Sequence, residues 1–325
     1  MLQTKNSEDK SGQSIWLPVA ITVFALIIRL YRYTGLDFWY DEALQIFEVN
    51  TFGINQFTPL FMHPPLNNLI LYFWMSLSTH PTWIRLLPVI WMVGTMIAIY
   101  HVTRLIFSRK AALWAMAIIA VLPFHIYYSR SIRMYALQTL LVLLTWLAVL
   151  HYEKKKQTRW LVVISIACAT ALYTHYFAVF PLASLGVAIL LLSIHDRKML
   201  PAAGAMIGGV VLYLPWLFKL FRATEIMMRD SDFFAPAITP RYLLQVMKLV
   251  IGGYHGRDIE IAIVASLFGL FSIIAYFKSD RRQIIILFCL LVLPILLICI
   301  IGVVQDYNYL IVRYITFSTV GFAIT

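Results

Sequence analysis

The chain has 325 residues, of which 61% are hydrophobic and only 13% charged, and its mean hydropathy is +0.81. Soluble domains carry about 25% charged residues, so a large water-soluble core is excluded and an all-α, polytopic helical membrane protein is expected. The net charge of +11 fits basic cytoplasmic loops in contact with anionic membrane lipids, and without an aromatic-interleaved basic run it does not read as nucleic-acid binding.

Residues 1–14 are polar and read as a disordered cytoplasmic tail ahead of one transmembrane domain, 15–325. Ile15–Tyr33 is apolar, carries Arg29 near its far end, and lacks a small-residue cleavage site, so it is an uncleaved first span rather than a signal peptide. The first outer loop, 34–82, follows. Within it Pro64-Pro65 opens a short helix over Asn67–Leu77, too short to cross hydrocarbon and suited to lying in the interface. Trp83–Phe107, Ala111–Tyr128, Met134–His151, Trp160–Tyr173, Phe177–Ile194 and Leu200–Phe221 read as six further spans. The second long outer loop, 222–257, is of the length that tends to carry function in compact proteins. Ile259–Phe277 and Ile284–Val304 complete nine spans, and Tyr314–Thr325 begins a tenth that ends without a polar tail, as in a C-terminally truncated product.

The loop Glu153–Arg159, with Lys154, Lys155, Lys156 and Arg159, is the most basic and therefore cytoplasmic. About 14 of the 26 Lys and Arg fall on that side, in very short loops. The remaining arginines fall outside, against the usual bias, and need a reason. Cys168, Cys289 and Cys299 sit in apolar runs without metal spacing and read as small buried hydrophobes.

Chemistry concentrates in the first outer loop. Asp41 and Glu42 stand among aromatics beside the bilayer, where carboxylates are costly and mark function; an ordinary solvated loop is the plainer alternative. In a helix the two would diverge by about 100°, so they do not form a symmetric dyad: one would face a reacting hydroxyl while the other orients a helix, a metal or a basic partner. His63 precedes a proline and is held extended. Arg130 and Arg133 open the fourth span, three apart and so on one helix face. A helix N-terminus with two arginines suits a phosphate, although snorkelling to lipid headgroups is the alternative. Thr174-His175-Tyr176 interrupts a span, with His175 either a satisfied core residue or the lining of a polar cavity. Arg313-Tyr314 opens the last segment and gives a second phosphate candidate. No Gly-rich phosphate loop with a lysine, GxSxG, HExxH or CxxC pair occurs, so a soluble nucleotide site is absent and any chemistry must use a substrate delivered by the membrane.

Phe38-Trp39-Tyr40-Asp41-Glu42, then His63-Pro64-Pro65-Leu66, then Ser129-Arg130 to Arg133-Met134-Tyr135-Ala136-Leu137, then Tyr173-Thr174-His175-Tyr176-Phe177, taken together, resemble the GT-C membrane glycosyltransferases. The nearest branch is that of the protein O-mannosyltransferases and lipid A aminoarabinose transferases. The resemblance implies a polyprenyl-phosphate-linked sugar donor, transfer with inversion on the extracytoplasmic side, and an acceptor hydroxyl on protein, lipid or polysaccharide. It implies Asp41 as the general base with Glu42 beside it, and Arg130, Arg133 and Arg313 as ligands of the lipid phosphate. His63, Tyr135, His175 and Tyr176 would line the substrate, and the chain would sit in the plasma membrane with its N-terminus in the cytoplasm. Many relatives carry an acidic residue where this chain has Ser131, which makes a divalent metal doubtful though still open; no other cofactor is expected. A transporter or flippase of a lipid-linked saccharide, or an inactive truncated scaffold, are the competing readings. A transporter should show broken segments near the midplane in paired halves, whereas here the polar words gather at one face.

Overall fold

The computed structural model describes residues 15–33, 37–55, 63–227 and 278–304, with isolated positions at 35, 239–250 and 321–324. The tail 1–14, most of the loop 222–257, the span expected at 259–277, and Arg313 lie outside the described residues.

The fold is a polytopic bundle of helices, with no strand among the described residues. In chain order the helices are α1 (Trp16–Leu30), α2 (Tyr40–Phe52), α3 (Leu66–Met75), α4 (Pro81–Ile106), α5 (Arg109–Val121), α6 (Pro123–Tyr128), α7 (Tyr135–Lys155), α8 (Thr158–Thr174), α9 (Val179–Ser193) and α10 (Leu200–Met227). The last, α11 (Arg281–Val304), passes through a π-helical turn at Phe288–Val292. Among the described residues, five segments are long and apolar enough to cross a membrane: Pro81–Ile106, Tyr135–Lys155, Tyr176–Ser193, Arg197–Lys219 and Arg281–Val304. Helices α1 and α8 are apolar but shorter.

Helix α7 is the central post. It packs between α4 and α8, and Trp146 at its middle is fully buried among Met96, Ile99, Met116 and Ile164. Between helices in lipid the driving force is close packing over small residues rather than the hydrophobic effect. At the α8–α10 contact a Cβ on Gly209 would stand 2.7 Å from the Ser165 carbonyl oxygen, and the Ser165 hydroxyl donates to the Ala205 carbonyl at 2.7 Å.

Two expectations change. The segment expected as one span, Ala111–Tyr128, is broken. Leu122 is extended and Pro123 opens α6, because proline lacks the N–H that would continue α5 and disfavours helical backbone in the residue before it. The stretch holding Asp41 and Glu42 is a helix of 13 residues rather than a loop. Both acids lie in its first turn, where negative charge suits the macrodipole, and Gly53 ends it at φ 52°, ψ −123°, a conformation open to glycine. Helix α3 forms where expected. It is clamped to α4 by Trp74 and Trp83, stacked at 4.3 Å, each indole N–H donating to the other's carbonyl.

The helices bring their ends together at two poles. At one pole meet the C-terminal ends of α1, α5 and α8, the N-terminal ends of α4 and α7, and helices α2 and α3. At the other, Arg282 binds Glu153 and Lys156 binds Asp196.

Candidate functional site

The site at the first pole is built outward from the break at Pro123. Without its N–H, the carbonyls at the end of α5 need other donors. Arg29, fully buried on α1, supplies them: Nη1 donates to Ala120 at 2.8 Å and Nη2 to Ile119 at 3.0 Å. Arg130, in the turn after α6, returns the favour to α1. Its Nε donates to the Arg29 carbonyl at 2.9 Å and its Nη2 to Ile28 at 2.6 Å and Tyr31 at 2.9 Å. Arg29 thus places its charge at the negative end of α5, and Arg130 at that of α1.

These caps fix the turn 129–134, which receives α2 and α4. Glu42 is fully buried on α2 and Arg85 nearly so on α4, and they form an ion pair at 3.0 Å with a second contact at 3.3 Å. The guanidinium also donates to the carbonyls of Arg130 at 2.9 Å and Asp37 at 2.8 Å and lies 4.5 Å over the Phe38 ring. Glu42 Oε1 in turn accepts the Ile132 N–H at 3.0 Å. A buried ion pair withstands its desolvation only as far as its remaining donors and acceptors are met, and here two backbone carbonyls on Arg85 and the Ile132 N–H on Glu42 contribute. A cavity of about 240 Å³ opens on the far side of Arg85, lined by Tyr33, Gly35, Asp37, His80, Pro81 and Thr82.

Asp41, the neighbour of Glu42, is half-buried. Its carbonyl accepts from Arg133 Nη1 at 3.2 Å, and Arg133 Nη2 donates to His63 Nε2 at 3.0 Å. A guanidinium has donors only, so His63 Nε2 accepts and the imidazole carries no proton there. The His63 ring continues into an aromatic shelf, stacked with His175 at 5.5 Å and with Tyr176 at 5.7 Å, and the Tyr135 ring meets His175 edge-on at 6.0 Å. His175 is fully buried and breaks α8 with an extended backbone, φ −160°, ψ 134°.

Asp41, Gln45 and Glu48 recur at helical spacing on α2. Gln45 donates to Asn68 at 2.8 Å, and Asn68 donates to Glu48 at 3.4 Å. Burial pushes the Glu48 carboxyl above its ordinary value, and the Asn68 hydrogen bond and the Arg133 charge pull part of the way back.

The structure therefore brings together Asp41, His63, Arg133, Tyr135, His175 and Tyr176 of the expected site. It gives Arg130 and Glu42 other surroundings. Arg130 does not share a helix face with Arg133, because α7 begins only at Tyr135, and its guanidinium caps α1. Glu42 takes the basic partner, Arg85, and is fully buried. Arg85 and Glu48 were missed by sequence reasoning. The spacing of Glu48 seven residues after Asp41 was the available signal; nothing local marked Arg85 among the other arginines. Ser131 is buried, its hydroxyl accepting the Arg133 N–H at 3.4 Å, and no group of three His, Cys, Asp or Glu side chains converges as metal ligands among the described residues.

Residues 62–218 match the family model described as dolichyl-phosphate-mannose-protein mannosyltransferase. Three crystal structures of the Archaeoglobus fulgidus oligosaccharyltransferase superpose on nearly the whole chain. The complex with Zn and sulfate covers 95% of this chain at 10% identity with a TM-score of 0.52. The form tethered to an acceptor peptide containing the NVT sequon covers 95% at 13% identity with a TM-score of 0.53. The apo form covers 98% at 14% identity with a TM-score of 0.52. The fold is that of a GT-C glycosyltransferase. The chain spans about half the length of these GT-C structures, 48 to 50%. No curated protein matches its sequence. The matched family segment contains His63, Arg85, Arg130, Arg133, Tyr135, His175 and Tyr176, and begins after α2.

Proposed function

We propose that the chain transfers a sugar, of mannosyl type, from a polyprenyl-phosphate donor to an acceptor hydroxyl, with inversion. Asp41 takes the acceptor proton as the O–C1 bond forms, and the C1–O bond to phosphate breaks on the opposite face. The electron pair leaves on the polyprenyl phosphate, where Arg133 offsets the charge, with Arg313 as a second cation. A phosphate is a fair leaving group, so a positive charge can stand in place of a general acid. His63, Tyr135, His175 and Tyr176 line the sugar, and Arg130 and Glu42 act as positioning residues. The acceptor is a protein hydroxyl, in keeping with the family's description.

The observation that carries this reading is the division of the adjacent carboxylates. Glu42 is sealed on Arg85, while Asp41 is half-buried beside the one guanidinium that also meets His63. The basic opposite pole, with Lys154, Lys155, Lys156 and Arg159, supports placing that pole in the cytoplasm and Asp41 on the extracytoplasmic face of the plasma membrane. The test is transfer from radiolabelled polyprenyl-phosphate mannose in membranes holding the wild type or Asp41→Asn. A positioned base contributes about 10²–10⁴-fold, and a loss of that size is expected. Transfer by Asp41→Asn at the wild-type rate would remove the base assignment.

A further inference from the structure

The proposed transfer leaves one charged group of the site without a task. Glu48 is half-buried on α2, seven residues after Asp41. Seven steps of about 100° return it to the same helix face, about 10 Å further along the axis. Asp41 and Glu48 are thus the two ends of one row, with Gln45 between them. Arg133 reaches both ends: Nη1 donates to the Asp41 carbonyl at 3.2 Å, and its charge acts on the Glu48 carboxyl.

The frame does not need the Glu48 charge. Gln45 Nε2 donates to Asn68 Oδ1 at 2.8 Å, which turns the Asn68 amide so that its Nδ2 donates to Glu48 Oε2 at 3.4 Å. An amide oxygen at position 48 would accept this long hydrogen bond equally well. Glu48 forms no ion pair among the described residues, because Arg133 directs Nη1 to Asp41 and Nη2 to His63. Burial raises the carboxyl above its ordinary pKa, so the anion costs stability where it stands. A carboxylate offers about four acceptor positions, and one long hydrogen bond fills one of them. A charge kept against stability beside the reacting groups marks function. The missing partners are donors. A cationic donor is disfavoured by the nearby Arg133 charge, whereas neutral hydroxyls are not, and the two carboxylate oxygens suit neighbouring hydroxyls of a sugar ring.

We propose that Glu48 is a specificity-determining residue that accepts hydrogen bonds from hydroxyls of the transferred sugar on the ring edge remote from C1. The assignment rests on the transfer reading above: with the acceptor hydroxyl at Asp41 and the phosphate at Arg133, C1 lies at the Asp41 end of the row. The ring then extends along α2 toward Glu48, and the Asn68 amide fixes the rotation of the carboxylate. Glu48 takes no part in bond making or breaking. It selects among sugars that share the chemistry at C1 and differ in their ring hydroxyls.

The test is a cycle of enzyme and donor changes, read as kcat/KM in membranes holding the full chain. Wild type, Glu48→Gln and Glu48→Ala are given polyprenyl-phosphate mannose and its 3-deoxy, 4-deoxy and 6-deoxy analogues, with unfolding midpoints measured alongside. A hydrogen bond to a charged acceptor contributes about 10- to 100-fold. The wild type is expected to lose that factor with at least one deoxy donor. Glu48→Ala is expected to lose it with the mannose donor and to lose nothing more with that deoxy donor. Glu48→Gln, with an unfolding midpoint no lower than the wild type at neutral pH, should fall between them, which separates a lost contact from a damaged fold. Glu48→Ala that still discriminates among the donors as the wild type does would overturn the proposal, as would a wild type indifferent to all three analogues. A loss confined to the acceptor's KM would overturn it in favour of an acceptor contact. No transfer by the wild type from the mannose donor would overturn the transfer reading itself, and this assignment with it.

Discussion

The rotation of a single helical step gives adjacent residues on α2 different surroundings, Glu42 buried on Arg85 and Asp41 half-buried, and the proposed function assigns frame to the first and chemistry to the second. Glu42 faces inward to Arg85 and the turn 129–134, so its removal strands a buried guanidinium. Breaking a pair of this kind costs about 3–5 kcal/mol, and Glu42→Ala is expected to lower the thermal unfolding midpoint sharply. The conservative Glu42→Gln, which keeps an acceptor for the Ile132 N–H, should recover part of the loss. Glu48 behaves differently. Its folded-state pKa is raised, so the native state holds its proton more tightly than the unfolded chain, and its contribution to stability is full below the ordinary carboxylate value and is lost as pH rises through the raised one. Glu48→Gln, which mimics the protonated form, should therefore match the wild type near the acid limit and be the more stable of the two at neutral pH. Thermal unfolding of both proteins across pH checks this; parallel curves would contradict it.

At the scale of elements, Pro123 sets the design of the pole. By ending α5 it leaves carbonyls that Arg29 satisfies, and Arg130 then satisfies those of α1. This is why Arg29 and Arg130 gather at the pole opposite the basic loop 153–159. It also separates two readings of Arg130. As a cap, Arg130→Met should lose about 1–3 kcal/mol of stability and leave donor affinity within about twofold of wild type, checked by unfolding and by donor titration. A phosphate ligand would instead lose affinity at unchanged stability. Helix contacts can be tested in the same way: Gly209→Ala forces a methyl against the Ser165 carbonyl, and such overpacking costs about 1–3 kcal/mol, visible as a lower unfolding midpoint. The long elements were legible in the sequence, since Trp83–Phe107, Met134–His151 and Leu200–Phe221 are long apolar runs with polar ends. Helix α2 was not. It turns Tyr40, Leu44 and Phe47 outward while burying Glu42 and Gln45, an inverted pattern that reads as a loop until its partners Asn68 and Arg85 are in place.

Across the whole molecule, the helices gather a buried, hydrogen-bonded network at one pole and exposed lysines and arginines at the other. The direction of each span followed from apolar length and loop charge, so the gathering of Asp41, Arg133 and His175 at one pole was legible before any coordinates. Which of them touch was not, because Asp41–Arg133 and Glu42–Arg85 join residues 92 and 43 positions apart, and sequence carries no local signal for such contacts. The central claim is that Asp41 acts in turnover while Glu42 holds the frame. The most direct measurement pairs donor affinity and single-turnover transfer in Asp41→Asn with the same quantities and the unfolding midpoint in Glu42→Gln. The account expects Asp41→Asn to bind donor normally, to unfold with the wild type, and to transfer about 10²–10⁴-fold more slowly, while Glu42→Gln loses stability first. Normal transfer by a stable Asp41→Asn, or a stable Glu42→Gln with abolished turnover, would contradict it.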